Sequence, residues 1–365
     1  MTYGTVQANA IQGSINTFSP NSAVFRNRII NGAMVIDQRN AGASATFANT
    51  GGYSLDRWRL SNGVSTVTAQ QSSTAPTGFK NSLLVTVTSA DSNPPSAGTS
   101  HGIQHYIEGF NVADLGWGTA NAQTVTLSFW VRSSLTGTYG IQIGNSDVST
   151  RAYVAQYTIS SANTWEQKSI TIPGDTTGTW GTGNGIGIAL VFDLGSGSNY
   201  QTSSANTWVS TDSRRISGNA LFASTASATF YITGVQLEVG STATSFDYRP
   251  YGTELQLCQR YFYQIGGGAF PISVGYNRAT SRFDTFHFFP VRMRSTPTGS
   301  VVSGTNYYYV DYSQATTQMN SFTVDSLSNQ AARFINTGLS GLTAGSGCVL
   351  FADNVSAFVS FSAEL

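Results

Sequence analysis

From Phe25 onward the chain is written in short runs where apolar and polar residues alternate, separated by clusters of Gly, Ser, Asn and Asp. The runs are Arg28–Ile36, Val64–Ala69, Ser82–Thr88, Val125–Val131, Tyr139–Ile143, Tyr153–Ile159, Glu166–Ile172, Gly185–Phe192 and Ala228–Leu237. A period of two with one apolar face predicts half-buried antiparallel strands. About nine of them, bounded by turn residues, predict one sandwich of jelly-roll size.

The period changes once. Thr253–Gln264 lacks Gly and Pro, places Leu255, Cys258 and Phe262 on one helical face, and sets Thr253 and Gln256 at capping-box spacing. Arg249-Pro250 ends the strand before it. A second apolar set, Leu257, Tyr261 and Tyr263, lies beyond the core-facing stripe. A helix apolar on two sides between two sandwiches is expected to meet its copies at a three-fold axis.

Strand patterns resume at Thr285–Arg294, Asn306–Tyr312, Ala332–Asn336 and Gly347–Phe361. The expected fold class is therefore all-β: a jelly-roll β-sandwich over 25–250, a short linking helix over 251–264 and a second, smaller C-terminal β-sandwich over 265–365. Residues 1–24 are polar without a period and read as an arm that orders against a partner or a neighbouring subunit. No repeat recurs at a fixed period of about 20–50 residues, which argues against solenoids and propellers.

Composition supports this class. Only 10% of the 365 residues are charged, against about 25% in an average soluble chain, and Gly (38) and Tyr (17) are abundant. Glycine and the small hydroxyl and amide residues disfavour helices. Eighteen basic residues balance 18 acidic ones with no basic run, so the electrostatic footprint of a nucleic-acid or anionic-membrane binder is missing. The start has no basic region before an apolar run, and about 18 consecutive apolar residues occur nowhere, so neither export by a signal peptide nor membrane insertion is expected. Cys258 and Cys348 are too few and too far apart for a disulfide framework or a zinc cluster. They read as buried free thiols, and no cofactor is expected.

Two stretches carry a resemblance. Asn27-Arg-Ile-Ile-Asn-Gly-Ala-Met-Val-Ile-Asp-Gln-Arg39 with Tyr53–Trp58, and Phe230–Ser241 with Phe246-Asp-Tyr-Arg-Pro250, resemble the first and last strands of a jelly-roll domain that recurs in bacteriophage tail-fibre and related virion proteins. Gln104–Gly109, Leu127–Arg132, Gly137–Gly140, Ala162–Glu166 and Leu255–Tyr261 fall in the order those proteins show. Phe289–Thr298 is similar to the small terminal domain that often follows. The same jelly roll is similar to carbohydrate-binding modules, whose last strand carries paired aspartates for a structural calcium. Here that position reads Thr233-Gly234, and no metal is expected.

The resemblance implies a homotrimeric tail-fibre or receptor-binding protein that attaches to a bacterial surface glycan without catalysis. The arm would join other virion proteins. A capsid decoration or head-fibre protein and a polysaccharide depolymerase are the alternatives.

Candidate residues follow from residue type and placement. Trp117, Trp180 and Trp208 sit in Gly-, Ser- and Asn-rich loops and are candidates to stack on sugar rings, with loop packing or a subunit interface as the other reading. Asp193 and Tyr200 flank Gly195-Ser-Gly-Ser-Asn199, which resembles a binding loop. Tyr307 and Tyr309 share one strand face, opposite Tyr308. Trp58, Trp130 and Trp165 read as core. Three histidines and no Gly-x-Ser-x-Gly elbow leave no nucleophilic triad. A glycosidase would need two carboxyls roughly 5–10 Å apart, and Glu108, Asp114, Asp193 and Asp212 are the acids near aromatic or Gly-rich loops.

Overall fold

The computed structural model describes residues 25–145 and 151–365. The arm read over 1–24 lies outside the described residues. In chain order the first domain comprises β1 (Ala45–Ala48), β2 (Gly52–Leu55), β3 (Trp58–Asn62), β4 (Thr66–Ser72), β5 (Ser82–Ser89), β6 (His101–Glu108), β7 (Val125–Ser133) and β8 (Gly137–Asn145). It continues with β9 (Arg151–Ile159), β10 (Glu166–Ile172), β11 (Ile186–Asp193), β12 (Gln201–Thr202), β13 (Trp208–Val209), β14 (Arg215–Ile216) and β15 (Thr229–Val239).

Thirteen of these strands make a jelly-roll sandwich of two antiparallel sheets, ordered β1-β4-β5-β15-β7-β10 and β13-β9-β8-β11-β6-β3-β2, and β12 and β14 form a separate parallel pair. The alternation explains the packing. Leu83, Val85 and Val87 of β5, Val125 to Val131 at odd positions of β7, and Ile188, Leu190 and Phe192 of β11 all point into one core. Of the tryptophans read as core, Trp58 is fully buried, while Trp130 and Trp165 are half-buried. Trp130 follows the outward parity of β7.

The apolar run Arg28–Ile36 forms no strand. Asn31 and Met34 adopt left-handed backbone (φ 58° and 57°), which breaks an extended run. The Asn31 side chain instead bonds both backbone groups of Ile36 and the carbonyl of Asp56. The segment is a buried turn that brings Ile29 and Met34 to the sandwich core.

The only α-helix among the described residues, α1 (Tyr251–Gln259), is shorter than the 251–264 expected. Its N-cap is Pro250, no side chain caps it, and the Thr253/Gln256 capping box does not form. Cys258 and Tyr261 are fully buried with Ile30 and Ile36, and Leu257 is half-buried against this cluster. Tyr261 lies beyond the helix, and its hydroxyl donates to Glu108 at 2.6 Å. Tyr263 belongs to the next strand and packs on the C-terminal core. Of the three residues read as an axis contact, Tyr261 is corrected, having no surface left for a neighbour, while Leu257 is partly buried on the Cys258 cluster and Tyr263 on the C-terminal core.

The C-terminal domain holds β16 (Phe262–Ala279), β17 (Arg282–Phe288), β18 (Thr298–Val301), β19 (Tyr308–Tyr312), β20 (Ala315–Met319), β21 (Thr323–Leu327), β22 (Ala331–Asn336) and β23 (Gly347–Ser362). They form one eight-stranded sheet ordered β20-β19-β23-β16-β17-β22-β21, with β18 also on β23. Its long strands bend at bulges, where Gly266, Gly267 and Gly268 all take positive φ. The sheet thus closes over Phe283, Phe334, Leu350, Val359 and Phe361 as a small sandwich. Cys258 and Cys348 are both free and buried, and burial raises both thiols, Cys348 to about 11.

Candidate functional site

On β6 the inward residues are Ile103, His105 and Ile107, so Gln104 and Tyr106 face outward. The same parity turns Gln142 and Gly144 of β8 and Ala189 and Val191 of β11 to that side. The segment before β14 then crosses the sheet. A Cβ on Gly140 would lie 2.4 Å from the Arg214 carbonyl, so only glycine lets that backbone pass. The result is an open groove of about 150 Å³. It is floored by Gly144, Ala189 and Val191 and walled by Gln104, Tyr106, Gln142, Asn145, Arg151, Asp212 and Arg214.

The polar walls are pre-set by their own bonds. Gln104 Oε1 accepts from Arg59 Nη1 (2.6 Å) and the Tyr106 hydroxyl (3.0 Å), which fixes the amide and leaves Nε2 as a donor without a protein partner. Gln142 Nε2 donates to Asp212 Oδ1 (2.8 Å), leaving its carbonyl oxygen as an acceptor. Arg214 forks onto Asp212 (3.3 and 2.8 Å) and its guanidinium lies 4.3 Å over the Tyr200 ring. Arg151 forks onto Asp175 (2.9 and 2.5 Å). Burial alone would raise the Asp175 carboxyl; Arg151, the Trp180 indole and Thr177 outweigh it and hold it below the usual range.

The three loop tryptophans converge. Ring centroids of Trp117–Trp180, Trp117–Trp208 and Trp180–Trp208 are 4.7, 5.4 and 5.5 Å apart, all edge to face. Each indole N–H is donated internally, to the Gln123 carbonyl, Asp175 and the Pro173 carbonyl respectively. The cluster packs on the sandwich core beside the groove, and none of the three lines it. It supports Arg151 through the shared Asp175. The aromatic ring that lines the groove is instead that of Tyr106.

The other candidates disperse. Asp193 is buried and accepts the backbone N–H groups of Gly195 and Ser196, so it shapes its loop. Tyr200 contributes by carrying Arg214. Tyr307 and Tyr309 are half-buried on the C-terminal domain, with Tyr308 in its core, and Tyr309 stacks on Phe351 at 4.8 Å. Glu108 is held by Arg260 (2.6 Å) and Tyr261, and Asp114 by Arg28 (2.6 Å). Of the four acids considered, only Asp212 lines the groove.

His101 and His105 lie on a strand. His101 bridges Asp91 (2.9 Å) and Asn62 (3.2 Å). His105 packs against Trp58 at 4.8 Å, and burial first, then Arg57 and Arg249, push it well below the usual histidine value. Among the described residues no group of three His, Cys, Asp or Glu is placed to hold a metal, and no helix is long and apolar enough to cross a membrane.

No family model matches the sequence, and no curated protein matches it. Among solved structures, the enzymatically active domain of tailspike protein 4 of bacteriophage CBA120 aligns with a TM-score of 0.31 and 13% identity, over 60% of this chain and 22% of that one. The CBM22-1 and GH10 modules of Clostridium thermocellum endo-1,4-beta-D-xylanase 10B, complexed with xylohexaose, align at 0.29 and 15%, over 51% and 26%. A family 11 carbohydrate-binding module from Clostridium thermocellum, in complex with a beta-1,3-1,4-mixed-linked tetrasaccharide, aligns at 0.28 and 12%, over 55% and 98%. The chain thus spans about a quarter or less of the first two proteins. These likenesses are partial, and the functional reading rests on the groove.

Proposed function

We propose that this chain is a bacteriophage virion protein of the tail-fibre or receptor-binding kind that holds a bacterial surface glycan in the groove without catalysis. The observation that carries the binding reading is the pair of oriented amides, Gln104 and Gln142, facing each other across a floor of small residues, with Tyr106 and two ion-paired arginines around them. Sugar hydroxyls both donate and accept, and a fixed donor beside a fixed acceptor matches that chemistry without adding net charge.

Non-catalytic attachment is supported by the state of the one carboxylate that lines the groove among the described residues. Asp212 is engaged by both Arg214 and Gln142, whereas glycoside cleavage requires a second carboxyl across the bond, one of the two protonated. In this reading the arm joins other virion proteins, and three weak grooves in a homotrimer act together.

The test is binding of the purified chain to host cells and to their extracted capsule or lipopolysaccharide, with a reducing-end assay in parallel. Retention on the glycan that Gln104→Ala with Gln142→Ala abolishes, and no release of reducing ends, is the expected result. Release of reducing ends above buffer would replace attachment by depolymerisation. Antibody labelling of virions at the head would move the protein to the capsid surface.

A further inference from the structure

The outward residues of the C-terminal sheet are apolar at its centre. Val274 lies opposite Phe286 on β17 and Val349 on β23, with Tyr276 and Phe288 beside them. Phe288 is 76% exposed, Val274 62%, Tyr276 43% and Phe286 42%. A buried aromatic side chain hides about 150–250 Å², so these four leave roughly 400 Å² of apolar surface open. That lies within the range of about 300–600 Å² at which the largest patch on a monomer is often functional.

The two sides of this face carry opposite charge. On β19 and β23, Asp311 and Asp353 are exposed and no cation pairs with either among the described residues. Both push up the Tyr309 hydroxyl between them, after burial. On the far side, Arg278, Arg282 and Arg333 surround Asp284, and Arg333 also meets Asp325. Three guanidiniums less two carboxylates leave that side at +1 against −2. Of these charges, Asp311 and Arg333 stand at the two ends of one row, with Val349, Val274 and Phe286 of β23, β16 and β17 between them, whereas Asp353, Arg278 and Arg282 lie on those three strands themselves.

We propose that this face is a self-association surface, on which a second copy of the chain packs with its Asp311 side over the Arg333 side of the first. A copy turned about an axis parallel to the strands brings acidic side over basic side and apolar centre over apolar centre. A copy turned about the perpendicular in-plane axis would set like charges together. With the half-buried Val349, Phe351 and Tyr309 and the charged margins added, the surface approaches the roughly 800 Å² per partner of a standard interface. The inference stands apart from the glycan reading, since it holds for a chain that binds no saccharide.

The test is light scattering of the full-length protein at tens of micromolar. A mass that is an even multiple of 38.7 kDa is expected, two chains or two paired trimers. Val274→Asp with Phe288→Asp should return the single-chain mass with an unchanged circular dichroism spectrum. Reversal of one side alone, Asp311→Arg or Arg333→Glu, should weaken association at least tenfold. Both substitutions in one chain should restore it, which keeps the test decisive if the aromatic variant fails to fold. A monomeric natural chain, or an oligomer indifferent to these substitutions, overturns the proposal.

Discussion

Arg57 of the first domain is fully buried and forms an ion pair with Glu364, which follows the last strand of the second. Its guanidinium also sits 3.7 Å over the Tyr261 ring and donates to the Tyr106 carbonyl. Burial alone would lower Arg57; Glu364, Tyr261, Tyr53 and Cys258 together outweigh it and hold the guanidinium above its ordinary value. Glu364 accepts from Arg39 as well, at 2.8 Å. The two domains are thus joined through charges withdrawn from water.

Glu364→Ala is expected to destabilise the chain by about 3–5 kcal/mol, because it strands a buried guanidinium. Arg39→Ala should cost less, since Arg57 still satisfies Glu364. Urea unfolding of the two variants beside the natural chain measures both.

Burial, opposed by Arg39 and by two bonds from Gln38, raises the Asp56 carboxyl to about 6. A carboxyl whose folded pKa exceeds the unfolded value of about 3.9 binds its proton more readily in the native state, so its contribution is present at low pH and is lost as pH rises through 6. The stability of Asp56→Asn relative to the natural chain should therefore improve between pH ~4 and ~7.5, by an amount on the order of 3 kcal/mol. Parallel denaturation curves at the two pH values read this; a difference independent of pH would refute it.

Gln104→Ala removes an oriented donor from the groove wall. Loss of one or two hydrogen bonds, about 1–2 kcal/mol, corresponds to a roughly five- to thirty-fold weaker Kd for the bound saccharide. Because Gln104 is buried and accepts from Arg59 and the Tyr106 hydroxyl, the melting temperature should fall by a few degrees as well. Calorimetric titration and a thermal scan on the same sample decide it.

Trp180→Ala separates support from direct contact. The ring packs on Trp117 and Trp208 and its N–H holds Asp175 at 3.1 Å beneath Arg151. A supporting role predicts a loss of about 2–3 kcal/mol of stability, below the full cost of a buried Trp→Ala change, together with weaker saccharide binding. Weaker binding at unchanged stability would instead make Trp180 a contact residue.

The legible part of the fold is the part with strict alternation. Val125, Leu127, Phe129 and Val131 announce β7 because every second residue must leave water, and the same holds for Ile188, Leu190 and Phe192. Arg28–Ile36 misled because apolar content says nothing of φ, and Asn31 turns the chain where a strand was expected. Tyr261 and Tyr263 carried a helical period past the point where β16 starts.

The groove left almost no local trace. Gln104, Gln142 and Asp212 come from segments far apart in sequence, and each one alone reads as a solvated polar position on an outward strand face or in a loop. The loop tryptophans were recognisable as unusual, but their convergence depends on the path of three separate connections. A signal was present in the register of polar positions on β6 and β8, and it gains meaning only once those strands are placed in one sheet, two apart with β11 between them.

The C-terminal domain enters the junction twice, with Phe262 at the start of β16 opposite Ser362 near the end of β23. These two strands then run side by side to Tyr276 and Gly347 at the far end. Tension applied at that far end and resisted at the junction would be carried along β16 and β23 lengthwise. Because both strands are held at the same end, that load would pass along two covalent backbones in parallel, with little of it across the ladder between them. Pulled from its far end the domain would act as a doubled strap, anchored by the Arg57, Glu108 and Glu364 contacts.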